Sequence, residues 1–406
     1  MTPTGDIAGK EPLVRYLRAV TSSFVHSRRR GYHAVENENP QPNQRGNIMS
    51  AKSRRIALLL LGGLTSAVIT TRLPGSVSGP GDAVDENGVK MTWFGITNWH
   101  YQVGDLGILL DGAVSFGGQG ESSGPDLVRR ARDALAADGA SFDVVLLGHL
   151  HGDHSSDIHS WVRETGAKYF APEEACAEAI AEGLACNSIY GGETVQLSAR
   201  VTMRVVRWSH SVRCGVVTGG TDSIETFGFL FTSESPSGTL AWFVTDSGAG
   251  GVELVTDRIV NGRNHGAPLH NLLRAVRDAG IPNIDVWQAG PESRVINQAR
   301  VIVPVFDVKY LMAHHFGARG GFDLLGGLHY AYDPGEVPRL TSFLESQGVP
   351  KLFGENYMDA WMYDHDGVRR VENTRVKTAL GLPARGPGPR PQQSNPRGGE
   401  LECADD

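Results

Sequence analysis

The stretch Leu146-Leu147-Gly148-His149-Leu150-His151-Gly152-Asp153-His154 places three histidines and a carboxylate within six residues, directly behind the strand-like run Asp143–Leu147. Side chains two apart on an extended chain point the same way, so His149, His151 and Asp153 converge as a strand runs out. His154 stands where a helix is predicted to begin, at Ser155-Ser156-Asp157, and turns back toward the same centre. Neutral imidazole and carboxylate with no neighbouring thiolate suit zinc or another divalent first-row metal. A merely polar loop would leave each ring to find its own partner, whereas a metal satisfies them together.

Three more positions offer ligand-type residues at the ends of apolar runs. They are His210 in Trp208-Ser209-His210-Ser211, Asp246 in Phe243-Val244-Thr245-Asp246-Ser247-Gly248, and the pair His314-His315 behind Met312-Ala313. Strand ends gather at one edge of a sheet, where loops carry function. Singly, each reads as an ordinary polar residue; their succession behind a four-residue cluster makes a set. Other candidates are weaker. Asn264-His265 to His270-Asn271 reads as an exposed loop, and His329-Tyr330 and Trp99-His100-Tyr101 read as packing or pocket-side residues. Cys214 reads as a small buried hydrophobe. Gly117-Gly118-Gln119-Gly120 lacks the Gly-Lys-Ser/Thr of a phosphate loop, and no Ser or Cys nucleophile motif stands out.

Alternating strands and helices must position these residues. Short strands are predicted over 90–95, 98–103 and 106–111, and a helix over 125–138 with Pro125 in its first turn. After the histidine loop come a helix through Trp161 and Val162, a strand over 168–171 and an alanine-rich helix over 172–184. Strands follow over 194–197, 201–208, 226–232 and 239–245, then a helix over 269–279 and strands over 284–288 and 308–313. A last helix spans 337–347. The stretch 248–300 is the least regular and reads as an insertion near the site.

The chain has 406 residues, 40% of them hydrophobic, and a net charge of −7, which gives no electrostatic reason for a nucleic-acid partner. Residues 1–48 read as disordered or as an over-long gene start, with translation beginning at Met49. The basic Lys52-Ser53-Arg54-Arg55 and the apolar run Ile56–Ile69 read as a signal peptide and linker over 49–79. Export to the periplasm or medium follows, by the general or the twin-arginine route; an uncleaved 56–69 segment would instead anchor the chain in a membrane. The folded domain spans 89–382, and 383–406 read as a disordered tail. Of four cysteines, Cys176 and Cys186 stand close enough to pair in an oxidising compartment or to remain free thiols, and Cys403 falls in the tail.

Taken together, His149-x-His151-x-Asp153-His154, His210, Asp246 and His315 resemble the metallo-β-lactamase fold superfamily over roughly residues 90–330. The resemblance implies an α/β fold, a four-layer αβ/βα sandwich, with two divalent metal ions at one edge. Zinc is foremost, with iron or manganese as alternatives. One metal would take His149, His151 and His210, the other Asp153, His154 and His315, with Asp246 bridging. Asp111, at the end of the run Gly107–Leu110, matches the early aspartate that supports the metal loop. His315 is preferred over His314 because Phe316-Gly317 follow it, as in the family. Asp246 stands where the β-lactam-hydrolysing branch has a cysteine, which argues against a β-lactamase. The implied activity is dinuclear hydrolysis of an ester, lactone or phosphodiester in a small-molecule substrate, with Asp153 orienting the nucleophile or carrying a proton. The alternatives are a mononuclear iron oxygenase on the same fold, or a non-catalytic binding protein that retains it.

Overall fold

Val89–Trp93, Trp99–Val103 and Leu106–Leu110 are buried along their whole length, as strands are when covered on both faces. These strands, β1, β2 and β3, form an antiparallel meander. Strands β4 (Val144–Leu146), β5 (Lys168–Pro172) and β6 (Asn187–Ile189) extend it in parallel. Parallel neighbours need crossovers. Helix α1 (Pro125–Ala137) makes the first; α2 (Gly152–Ser155) and α3 (Ile158–Thr165) make the second, and α4 (Glu173–Ala181) the third. Pro125 opens α1, whose buried face is Val128, Ala131, Ala134 and Leu135. The computed structural model describes residues 88–114, 122–210, 212–213, 216–217, 224–246, 254–260, 262–319, 322, 325–330 and 334–391. The expectations for 1–48 and for the signal segment 49–79 lie outside these residues, as do Gly117–Gly120, Cys214 and Cys403.

The second sheet begins with β7 (Thr194–Gln196) and β8 (Val201–Arg207). After the two-residue strands β9 (Val212–Arg213) and β10 (Val216–Val217), which pair with each other, it continues with β11 (Phe227–Ser235), antiparallel to β8, and β12 (Gly238–Thr245), antiparallel to β11. A small hairpin, β13 (Arg258–Val260) with β14 (Arg263–Gly266), precedes helix α5 (Pro268–Ala279) and strand β15 (Val286–Ala289). Helix α6 (Ile296–Phe306) leads to β16 (Tyr310–Ala313). The hairpin β17 (Phe316–Arg319) and β18 (Leu325–Tyr330) follows, then α7 (Val337–Ser346) and β19 (Lys351–Phe353). The chain then returns to the first sheet as β20 (Asp359–Asp364), which pairs with β1, and β21 (Gly367–Val371), before helix α8 (Thr374–Leu380). The resulting orders are β21-β20-β1-β2-β3-β4-β5-β6 and β19-β16-β15-β12-β11-β8-β7.

The sheets meet through aromatic side chains. Tyr101 of β2 lies 5.7 Å from Phe231 and 5.8 Å from Trp242, centroid to centroid. Its hydroxyl donates to Gln288 Oε1 of β15 at 2.6 Å, so the phenol is satisfied across the interface. Helices α1, α3 and α8 pack together against the first sheet, and α5 packs on β8 and β11. The architecture is thus the four-layer αβ/βα sandwich.

Three features depart from the sequence reading. The irregular span 248–300 contains a crossover of its own: α5 carries the chain from β12 to β15, and α6 then carries it to β16. The interval from Asp246 to His315 is long because two parallel crossovers fill it, with the β13–β14 hairpin as the added piece. Strands β17 to β21 and α8 were not anticipated. Finally, the folded chain runs beyond Leu382. Residues 383–391 are held by Asn356 Nδ2 donating to Pro383 O, Lys377 Nζ donating to Ala384 O, and Arg390 pairing with Leu328 and Tyr330 of β18. A polar, proline-rich stretch finds its order in backbone partners, which composition does not reveal.

Candidate metal centre

The metal loop is extended up to His151, whose φ of −69° and ψ of 143° make it the N-cap of α2. Asp153 and His154 then fall in the first turn, so a switch from strand to helix brings them back over His149. Gly148 fastens the loop at both sides: its N–H donates to Asp111 Oδ1 at 3.0 Å, and its carbonyl accepts from Phe227 N of the second sheet at 3.0 Å. Asp111 itself takes φ of 60° just past β3, a backbone cost of about 1–3 kcal/mol for a non-glycine residue that its contacts must outweigh.

His210 follows β8, Asp246 follows β12 and His315 follows β16, and all three strands run toward the metal loop. Three groups of ligand atoms result, each within 4.8 Å: His149, His151 and His210; His149, His154 and Asp246; Asp153, His154 and His315. Asp246 sits among both halves, with Oδ2 3.7 Å from His149 Nε2 and 3.4 Å from His154 Nε2, and Oδ1 3.6 Å from His315 Nε2. Asp153 Oδ2 lies 3.5 Å from His315 Nε2 and 3.7 Å from His154 Nε2. All seven residues singled out from the sequence therefore converge. Five are buried, and His151 and Asp153 are half-buried, with Asp153 at 24% side-chain exposure.

The electrostatics suit cation binding. Burial, reinforced by neighbouring histidines, pushes His149 and His210 well below the ordinary imidazole range, and burial lowers His151. These rings are neutral and hold lone pairs. For Asp153, burial favours the acid, yet His154, His315 and His151 outweigh it and hold the carboxyl below its usual range. Burial opposes charge on His154 too, but Asp153, Asp246 and Asp111 prevail and raise it to about 10. Three carboxylates around one imidazole demand positive charge, which metal ions would supply in place of that proton. His149 Nδ1 and Nε2, His210 Nδ1 and Asp246 Oδ1 are buried without a hydrogen-bond partner. Orphaned lone pairs at this density fit metal ligation.

One functional position escaped the sequence reading. Thr97, in the turn between β1 and β2, donates its hydroxyl to Asp111 Oδ2 and lies 2.6 Å from His154 Nδ1. Asp111 Oδ2 is also 2.7 Å from that nitrogen. The Nδ1–H is thereby committed and Nε2 is left for a metal. A threonine in a hairpin turn carries no signal of this role. Asn98 beside it fixes the Asp111 turn by accepting from Gly112 N and Ala113 N.

The adjacent residues His314 and His315 part ways in space, and only His315 joins the cluster. His314 is fully buried on the other side of the β16 end. Its Nε2 is 2.8 Å from Thr245 O and its Nδ1 accepts from Trp99 Nε1–H at 3.1 Å. His315, at φ of 70°, turns into the cluster. The weaker candidates fall elsewhere. Trp99 and Tyr101 are core residues, His100 binds Ser141 O, and His265 lies 3.4 Å from Glu225 on the β13–β14 hairpin.

No family model matches the sequence, and no curated protein does. Solved structures similar in architecture include Igni18, a metallo hydrolase from the archaeon Ignicoccus hospitalis, at 16% identity and a TM-score of 0.43, covering 68% of this chain and 99% of that one. CmlA, a diiron β-hydroxylase from Streptomyces venezuelae, is 13% identical with a TM-score of 0.42, over 71% of this chain and 55% of that one. MEM-A1, a subclass B3 metallo-β-lactamase from a soil metagenome library, is 14% identical with a TM-score of 0.32, over 53% and 83%.

Proposed function

We propose that this chain, built on the metallo-β-lactamase fold, is a dinuclear metal-dependent hydrolase acting on an ester, lactone or phosphodiester of a small molecule. The observation that carries the reading is the position of Asp246, whose two oxygens face histidines of both ligand groups. His149, His151 and His210 would hold one metal, zinc being the best match to five imidazoles and two carboxylates, and Asp153, His154 and His315 the other. Two such cations supply Lewis acidity toward a carbonyl or phosphoryl oxygen and bring water toward ionisation at neutral pH.

The chain's own groups do the rest. The neutral histidines stay unprotonated through burial. Asp111 and Thr97 hold His154 with Nε2 inward. Asp153, with 24% side-chain exposure, is placed to orient the attacking water and to carry a proton to the leaving group. No side-chain nucleophile is needed. Export is part of the proposal: besides the 49–79 signal pattern, Cys176 and Cys186 form a disulfide, a bond that persists in oxidising compartments.

Elemental analysis of the purified protein tests the reading, with about two equivalents of zinc expected. A panel of chromogenic esters, lactones and phosphodiesters should show turnover that His151→Ala lowers by about 10³-fold, the loss of several kcal/mol of transition-state stabilisation. Metal below one equivalent after zinc supplementation would overturn the reading, and equal rates for both proteins would favour a binding protein. Iron with oxygen consumption would favour an oxygenase.

A further inference from the structure

We infer that His314 is a positioning residue that fixes the spacing between the strand ends carrying Asp246 and His315. The inference rests on the two-metal reading above. Asp246 follows β12 and His315 follows β16, but these strands do not pair with each other, because β15 lies between them. Thr245, Ala289 and Ala313 form one row across the three strands, so the two ligands leave the sheet about 10 Å apart along the ladder. Backbone pairing alone sets this separation only through β15. His314 spans it directly.

The imidazole of His314 reaches over the end of β15 and meets the carbonyl of Thr245, the residue before Asp246, at 2.8 Å. A carbonyl only accepts, so Nε2 carries the hydrogen; Nδ1 is then the acceptor for Trp99 Nε1–H at 3.1 Å. Both ring nitrogens are thereby used up, and the ring is fixed in one tautomer and one orientation. Trp287 Nε1–H, donating to Thr245 Oγ1 at 3.1 Å, holds the same residue from β15. The bridge needs space at the end of β15. A Cβ on Gly290 would come within 2.3 Å of His314 Cδ2 and 2.9 Å of His315 Cβ, so glycine at that position lets the ring cross. The bridge bears on His315 directly and on Asp246, so His149, His151 and His210 feel it only through Asp246, whose Oδ2 lies 3.7 Å from His149 Nε2.

Metal retention separates a positioning role from a general packing role. The full-length protein, purified with zinc, is equilibrated against graded EDTA and its bound metal counted. His314→Phe keeps the ring and removes both hydrogen bonds. It should release the equivalent held with His315 at a chelator concentration about tenfold below that for the wild type, with the second equivalent, which shares only Asp246 with the bridge, shifted clearly less. His314→Gln, which keeps a donor toward Thr245 O, should recover most of that loss. Trp99→Phe removes only the indole N–H and repeats the test if His314→Phe does not fold; a smaller shift of the same single equivalent is expected. Release of both equivalents in parallel, or no shift in either, overturns the inference. A wild type holding less than one equivalent overturns the two-metal reading first, and the inference with it.

Discussion

Thr97 shows how much of a candidate metal centre lies one hydrogen bond away from its ligand-type residues. Its hydroxyl joins Asp111 and His154 Nδ1 in one hydrogen-bonded unit, and all three residues are buried. Replacing the hydroxyl by a methyl leaves Asp111 with one donor fewer and His154 less firmly turned. Thr97→Val is therefore expected to weaken zinc retention by about 10- to 100-fold, and Thr97→Ser to preserve it, as read by chelator competition. Four histidines and two aspartates of the cluster, with the fifth histidine narrowed to the pair His314-His315, are legible in the sequence because metal-ligand chemistry restricts residue type and because strand ends impose order. Thr97 was not legible, since its role depends on where a hairpin turn lies relative to a loop far along the chain.

At the scale of elements, β2 illustrates a titratable group committed to the fold. His100 is buried, with Nε2 2.8 Å from Ser141 O and its ring 5.0 Å from Phe142. Burial, only partly offset by that carbonyl, lowers it from 6.5 to about 4. The folded protein thus keeps His100 neutral while the unfolded chain takes up a proton below about pH 6.5. The unfolded state binds more protons between those values, so this contribution to stability is complete above pH 6.5 and is lost as the pH falls toward 4. Between pH 7.5 and 4.5 the loss amounts to about 2.5 kcal/mol from this one ring. Denaturant unfolding should show His100→Gln losing less stability over that interval than the wild type by about that amount. Equal losses would assign the acid sensitivity to other groups. Apart from β6, the strands of both sheets up to β16 are legible from their apolar runs. β20 and β21 were missed although they complete the first sheet beside β1, because Asp359–Asp364 and Gly367–Val371 are interrupted by polar residues. Part of that polarity is structural: Asp359 is fully buried and accepts from Lys377, Arg370 and two backbone N–H groups.

At the scale of the molecule, the two sheets close at one edge on the ligands and are secured at the periphery by devices of their own. The Cys176–Cys186 bond ties α4 to the loop before β6, the outermost strand of the first sheet, across a separation of 10 residues. A loop of that length corresponds to about 2–3 kcal/mol of stabilisation in the chain-entropy account. Reductant should lower the urea midpoint of the wild type accordingly, while a Cys176→Ser, Cys186→Ser double variant should be insensitive to it. An unchanged midpoint would show that the edge strand is held by its ladder alone. Past α8, Arg390 pairs with Leu328 and Tyr330 of β18, whose partner strand β17 begins at the residue after His315. The end of the described chain and the last ligand are thereby parts of one local structure.

The sequence by itself determined which residue types could bind metal, their order along the chain and the alternation of strands and helices beneath them. These follow from ligand chemistry and from periodicity, both local properties. Tertiary structure decided what depends on direction and distance across the fold. His314 and His315 are neighbours of one type, and only the side of the β16 end on which the other ligand-type residues gather brings His315 into the cluster and leaves His314 hydrogen-bonded to Thr245 and Trp99. The seven residues of the opening constellation become one centre only because β4, β8, β12 and β16, drawn from two sheets, run out at the same edge.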